Sequence, residues 1–500
     1  MDMSKATKKR TMITKNHLPT KQYAMPFDNY YPEQERAIQQ ILETPPNTLV
    51  LLQAPTGSGK SAIVATVARN MSSLKTMVLT RTKSLQHQYE DQLGFFSAEG
   101  MSSYECPLHP GYSPEEIFCD REHCPQKDCH YRHQSRWAYA ATEVVTNYSW
   151  FLSHSDYYPE VLVLDEAHYA NDIVTEHMST TFTQYDFNTL LTTKEEVEKD
   201  LRILTTKKMK RVSRLLVAAR RKGHKKYASY LADLSSRIHR LGVVLNHCIY
   251  EVNSSTKRIQ IIPKDNSGLI DTLLLKRAVS LPIMMSATIL DPVIFMREKG
   301  LDHIPYTYIE LPNVIAAERR PIFYYPTTKV GHKDTNYKKL VNRIDDILDF
   351  HKDQKGIIHT SNFVLAERIT YLSRNKGRLM VQDKETDRIA LIDSFMNDTE
   401  NSVLVSPSIT TGVDLPDEMA RFAIFAKIPF PNMTNKRVRE KMKTSNWYEW
   451  TTICEIVQGS GRTIRHKDDF GITYILDSNF GWFYSQNKRT FPKWWRDALQ

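Results

Sequence analysis

Short apolar runs recur along the chain, each bounded by polar or turn-forming residues. Between them lie longer stretches in which apolar positions return every three or four residues. Thr48 to Gln53 (TLVLLQ) and Val161 to Leu164 (VLVL) are almost continuously apolar, the pattern of strands buried on both faces of a parallel sheet. After Ser61, AIVATVARNM has the periodicity of an amphipathic helix. Further along, GIIH, RLMV, SVLV, RFAIFA and GITYIL are strand signals separated by amphipathic segments. Strands alternating with helices predict an α/β fold. From Lys194 to Asn246 the pattern is helical, with few glycines.

Composition narrows this picture. The 500 residues suffice for about three domains, and 41% hydrophobic with 25% charged residues is ordinary for a globular chain. No apolar run approaches the ~18 residues that span a bilayer, and the polar start MDMSKATKKRTMITK is no secretory signal. A cytoplasmic location is therefore expected. The net charge of +10 favours a polyanionic partner without naming it. Four of the six cysteines crowd between Cys106 and Cys129, which in a reducing compartment points to metal rather than disulfides. Cys248 and Cys454 stand alone and read as buried thiols.

The most specific chemistry lies between the first strand and helix. APTGSGKS (Ala54, Pro55, Thr56, Gly57, Ser58, Gly59, Lys60, Ser61) joins them, the context a phosphate-binding loop requires. Its glycines let backbone N–H groups curl towards a phosphate, and the helix N-terminus adds its positive end. Lys60 would reach the β- and γ-phosphates and Ser61 would ligate Mg²⁺. Ala54 stands where the general pattern has its first glycine. Downstream, VLVLDEAH sets Asp165 and Glu166 at the carboxyl end of a strand, where ligands of open α/β sheets bind. Asp165 would hold Mg²⁺ and Glu166 would polarise the attacking water, so the cofactors expected are ATP and Mg²⁺.

APTGSGKS and DEAH resemble motifs I and II of superfamily 2 helicases, and VLTRTKSLQHQY resembles the TRT form of motif Ia in the XPD/DinG helicases. VVTNYSWFL resembles that family's N-Y signature, MSATI its motif III and HTSNF its motif IV. SPSITTGVDLPDEMARFAIFAKIPFPN looks like motif V, EIVQGSGRTIRHKDDFGITYILD like motif VI, and YYPEQ like the Q-motif. The resemblance runs from about Tyr30 to Phe480. It implies that Tyr30 and Gln34 flank the adenine, with Gln34 reading it, and that Gly412 and Asp414 serve the nucleotide. Gln458, Arg462 and Arg465 would line one helix as catalytic groups, the two arginines on one face as fingers for the γ-phosphate. Arg81, Thr82, Asn147, Tyr148, Thr360, Ser361 and Thr411 would meet the nucleic acid. One departure is Asp477-Ser478-Asn479-Phe480, where the family has an arginine before the aromatic residue.

Cys106, Cys119, Cys124 and Cys129 follow a C-x12-C-x4-C-x4-C spacing. That spacing alone suits a [4Fe–4S] cluster or, with histidines 109, 123, 130 and 133, zinc. By resemblance this part of the chain carries the family's four-cysteine cluster. The basic run from Lys207 to Lys226 falls in what resembles the family's arch, although such a run also suits a solvated helix face.

These readings make an α/β protein of two RecA-like parallel-sheet lobes, with an iron–sulfur insertion and a helical arch insertion in lobe one. The expected boundaries are a basic tail (1–25), lobe one (26–98, 140–175 and 266–300), the cysteine insertion (99–139), the arch (176–265) and lobe two (301–500). The resemblance implies an ATP-dependent helicase, acting as a monomer on single-stranded or forked DNA with 5′–3′ polarity. An RNA-directed ATPase and an ATP-gated clamp that does not unwind are the alternatives.

Overall fold

A computed structural model describes residues 31–500 apart from 32, 118, 120–127, 184–185, 187–198, 200, 254, 267, 332–334, 408–414, 416, 444–445, 465 and 467. Tyr30, Cys124, Thr411, Gly412, Asp414 and Arg465 lie outside the described residues. The chain divides into two compact units. One comprises Ser72–Pro282 and Lys299–His303; the other comprises the described residues up to Met71, Ile283–Glu298 and Ile304–Gln500.

Among the described residues, ten strands precede residue 311. They are β1 (Leu49–Gln53), β2 (Thr76–Thr80), β3 (Phe96–Ala98), β4 (Glu143–Asn147), β5 (Val161–Leu164), β6 (Thr180–Thr183), β7 (Cys248–Asn253), β8 (Arg258–Pro263), β9 (Leu281–Ser286) and β10 (Tyr306–Glu310). Seven form a sheet ordered β10-β1-β9-β5-β2-β4-β3. Strand β1 runs parallel to β10 and β9, β2 to β4 and β5, and β3 to β4. The continuous apolar runs of β1, β2 and β5 suit parallel strands covered on both faces. Strand β10 pairs with β1 along its whole length, Leu49 opposite Tyr306 and Gln53 opposite Glu310. The first lobe therefore extends past the boundary expected at residue 300.

The segment expected to be a helical arch is not wholly helical. Helices Met209–Arg221 and Lys225–Val244 pack on each other, but β6, β8 and β7 form a three-stranded antiparallel sheet beside them. In β8, RIQIIP alternates exposed and covered positions, the signature of a strand with one face on a core.

The second sheet comprises β11 (Ile322–Thr328), β12 (Gly356–His359), β13 (Leu379–Val381), β14 (Val403–Ser406), β15 (Phe422–Phe425) and β16 (Ile472–Asp477). Its order is β11-β16-β15-β12-β14-β13, again parallel. Successive strand residues feed opposite faces. Ile358, Ile424 and Leu476 pack with Leu340, Ile344 and Leu348 of helix Tyr337–Phe350. Phe425 and Ile475 pack on the other face with Ile453, Ile456 and Val457 of helix Trp447–Ser460, and with Phe480, Phe483 and Trp495. Both faces are covered, which is why GIIH, SVLV and GITYIL read as near-continuous apolar runs.

Candidate nucleotide and strand-binding site

In the second unit, β1 ends at Gln53 and the phosphate loop follows, opening helix Lys60–Asn70. Gly57 and Gly59 have φ of 80° and 75°, a region that glycine enters without the steric cost of a side chain. A Cβ on Gly59 would also collide with Nε2 of Gln34. The loop is braced from within. The Ser58 hydroxyl donates to the Pro55 carbonyl at 2.6 Å, and the Lys60 ammonium donates to that of Ala54 at 3.1 Å. Such a loop turns N–H groups and one cation towards a bound anion, so the residues present fit a nucleotide phosphate. Ser61 is half-buried at the helix start, where its hydroxyl suits a phosphate-bound Mg²⁺.

Gln34 packs against this loop. Its Oε1 accepts from the Tyr31 N–H at 2.8 Å, its Nε2 donates to the Ser58 carbonyl at 2.8 Å, and the side chain is buried. An amide so held braces the phosphate loop.

Strand β9 leads into the motif III loop. The Ala54 N–H donates to the Ser286 carbonyl at 3.0 Å, which ties the phosphate loop to that strand end. Helix Trp447–Ser460 meets the same loop: Gln458 Nε2 donates to Thr288 Oγ1 at 2.8 Å, and Trp450 Nε1 donates to the Ile289 carbonyl at 3.1 Å. Thr56, Ala287, Thr288, Gln458 and Gly461 line one pocket. Arg462, expected on this helix, lies beyond it. The helix ends at Ser460 with Gly461 as its cap, because glycines at 459 and 461 weaken the last turn. The Arg462 charge bears on His359 at the end of β12. Burial, and secondarily Arg462, push the His359 imidazole down to about 3, so it stays neutral and stacks on Phe425 at 4.6 Å.

In the first unit, β5 delivers Asp165 and Glu166. Asp165 is buried, and its carboxylate accepts from the Glu166 N–H at 2.8 Å. Tyr148, expected at the nucleic acid, is buried instead and donates to the Asp165 carbonyl at 2.9 Å. Burial, then the Asp165 and Glu166 charges, hold its phenol well above the ordinary tyrosine range. It props the acidic turn. Glu166 has φ of 51°, and its carboxylate lies 3.3 Å from His168 Nδ1.

The other expected strand contacts divide in the same way. Arg81 is exposed at the end of β2. Thr82 and Asn147 instead cap helices, accepting from the N–H groups of Leu85 and Trp150 at 3.3 and 2.8 Å. Thr360 is fully buried, with its hydroxyl donating to the Asn362 carbonyl at 3.1 Å. Ser361 is half-buried with φ of 59° and donates to the Lys427 carbonyl at 3.3 Å. Asn479, at the family's arginine position, turns its amide back to Asp477 Oδ1 at 2.8 Å.

Of the cysteines, Cys106 and Cys129 are buried and Cys119 is half-buried. Cys129 immediately precedes the first turn of helix His130–Ala140. Thiols drawn inward at a helix start fit a thiolate-held metal group. Among the described residues, no three donors of this region lie within 4.8 Å of one another; that arrangement occurs at Asp417, His466 and Asp469.

Two family models match the chain: a DEAD/DEAH box helicase over residues 31–204 and a helicase C-terminal domain over residues 344–498. Among curated proteins, the regulator of telomere elongation helicase 1 homolog of Caenorhabditis elegans is 28% identical over 108 residues, 18% of this chain and 11% of that protein. The Fanconi anemia group J protein homolog of Gallus gallus is 29% identical over 122 residues, 21% and 10%. ATP-dependent DNA helicase CHL1 of Candida albicans is 30% identical over 115 residues, 19% and 13%. The chain thus covers about a tenth of the length of these curated relatives. Among solved structures, an XPD helicase superposes with a TM-score of 0.62 at 15% identity, covering 91% of this chain and 97% of that one. The S. tokodaii Xpd4 structure gives 0.55 at 15%, covering 94% and 98%. At that identity the likeness is one of fold, two RecA-like lobes.

Proposed function

This chain belongs to the XPD/DinG-like family of superfamily 2 helicases, and we propose that it is an ATP-dependent DNA helicase or translocase. Lys60 holds the transferring phosphate, while Ser61 and Asp165 hold Mg²⁺. Glu166 orients the attacking water, and Arg462 with Arg465 neutralises the charge that develops on the γ-phosphate. Gly412 and Asp414 belong to the same nucleotide machinery.

Cys106, Cys119, Cys124 and Cys129 hold a [4Fe–4S] cluster, which supplies a cross-link to a segment with little core of its own. Single-stranded or forked DNA is the partner, and translocation runs 5′–3′. Arg81, Ser361 and Thr411 meet its phosphates.

The observation that carries this reading is the phosphate loop itself: two left-handed glycines, a buried glutamine brace and a lysine opening an 11-residue helix. ATP turnover with single-stranded DNA or RNA added, and strand displacement on forks of both polarities, test it. Turnover stimulated by DNA together with displacement is the expected result. Preferential stimulation by RNA, or ATP-dependent binding without displacement, would replace it with one of the two alternatives.

A further inference from the structure

Four side chains of the first unit form one continuous series. The Arg81 guanidinium lies over the Tyr169 ring, 3.7 Å from its centroid. The Tyr169 ring contacts the His168 ring, centroids 3.8 Å apart at an interplanar angle of 52°. His168 Nδ1 stands 3.3 Å from a Glu166 carboxylate oxygen. We infer that Tyr169 is a positioning residue that relays strand engagement at Arg81 to the carboxylate of Glu166. This rests on the reading that Arg81 meets a strand phosphate and Glu166 orients water.

The geometry suits transmission rather than packing alone. A guanidinium presents its face to an aromatic ring and its five N–H donors in its own plane, so Arg81 can keep the ring and still fork a phosphate. A phosphate that draws Arg81 along that plane moves the cation over the ring, and Tyr169, buried against His168, follows. The backbone beneath does not absorb the movement. The Tyr169 N–H donates to the Glu166 carbonyl at 3.0 Å, and the buried ammonium of Lys299 reaches the His168 carbonyl at 3.4 Å. At the other end, Arg81 leaves β2 and precedes a capped helix, so its backbone is fixed as well. The imidazole orientation, and with it that of Glu166, is then set by the Tyr169 ring.

The test uses the full chain, with a single-stranded oligothymidylate as probe. Parent protein is assayed for ATP turnover without and with saturating strand. No stimulation of the parent would overturn the functional reading, and the relay with it. Where the parent is stimulated, Tyr169→Leu should lower the stimulation ratio roughly two- to fivefold, the range a partly exposed cation–π contact converts to. Tyr169→Phe should keep that ratio, because the ring and not the hydroxyl makes both contacts. Strand affinity by fluorescence anisotropy without nucleotide should change less than about twofold, since Arg81 retains its donors. A Tyr169→Leu protein stimulated like the parent would overturn the relay alone. So would equal losses with and without strand, which mark a turn that has simply lost packing. Should Tyr169→Leu fail to fold, Arg81→Lys keeps the charge and removes the planar stack. Its stimulation at saturating strand should fall in the same direction, and an unchanged ratio there overturns the relay.

Discussion

Gln458 Nε2 donates to Thr288 Oγ1 at 2.8 Å, and the Cys454 thiol, one helical turn earlier, points at the Thr288 carbonyl at 3.5 Å. With Trp450 on Ile289, positions 450, 454 and 458 form a ladder along one helix face against the motif III loop. Thr288→Val and Gln458→Ala should each lower ATP turnover roughly two- to tenfold, the range of one missing hydrogen bond. The double replacement should cost little more than either alone. Additive losses in that cycle would show that the two side chains act separately.

At the phosphate loop, Lys60→Ala should abolish ATP hydrolysis while the protein keeps its melting temperature. Glu166→Gln should retain a fluorescent ATP analogue and turn over slowly, because it removes orientation of water and leaves the phosphate held. Normal turnover by Glu166→Gln would remove that residue from catalysis. Gly59→Ala should weaken nucleotide binding, since its Cβ would meet Gln34 and its φ suits glycine.

The four cysteines should give brown anaerobic protein that absorbs broadly near ~400 nm and carries about four irons per chain. Replacing Cys119 or Cys124 should impair unwinding more than basal ATP turnover. Colourless protein with one zinc would instead favour the histidine-assisted site.

The basic run from Lys207 to Arg214 divides by exposure. Lys207, Lys210, Arg211 and Arg214 are exposed, whereas the Lys208 ammonium donates to the Asp186 carbonyl at 2.6 Å and holds the structure together. Charge reversal at the four exposed positions should weaken single-strand binding. It should also flatten the salt slope by about 0.7 for each phosphate that is no longer neutralised. An unchanged slope would leave these helices as a solvated face.

Two histidines predict how stability responds to acid. Burial, with Arg462 second, pushes His359 down to about 3, and burial, with Arg240 second, pushes His177 down to about 4. Both lie below the ~6.5 of an unfolded histidine. The unfolded chain therefore takes up protons below that pH that the folded chain refuses. The stability from these groups is complete above about 6.5 and is lost as pH falls towards 4 and 3. Urea midpoints should drop between about pH 7.5 and 5, and His359→Phe should make the drop shallower. The same drop in His359→Phe would assign the proton uptake elsewhere.

Parallel strands of both lobes were legible because strands covered on both faces must be apolar throughout, as in LVLLQ and VLVS. The phosphate loop was legible because its glycines have a local steric reason. Relationships set by distant residues were not. Nothing local says that Tyr148 turns inward to the Asp165 carbonyl, or that Gln34 spends its amide on Ser58. Motif VI misled in a smaller way, because its spacing suggests a helix through Arg462 that Gly459 and Gly461 end early. The β7–β8 hairpin was hidden inside a helical expectation, although the alternation of RIQIIP was a usable signal.

The pairing of β1 sets an order of events during synthesis. Its neighbours in the sheet are β9 and β10, Val50 lying opposite both Ile283 and Thr307. The strand that carries the phosphate loop therefore leaves the ribosome more than two hundred residues before either flanking strand exists. Until β10 emerges, this apolar run has open edges and is the exposed hazard that unpaired strands present. The phosphate loop gains its tie to the end of β9 only once Ser286 has been made, through the Ala54 N–H on the Ser286 carbonyl. A chaperone that shields LVLLQ until residue 310 has been made would protect the ATP site of every copy that matures.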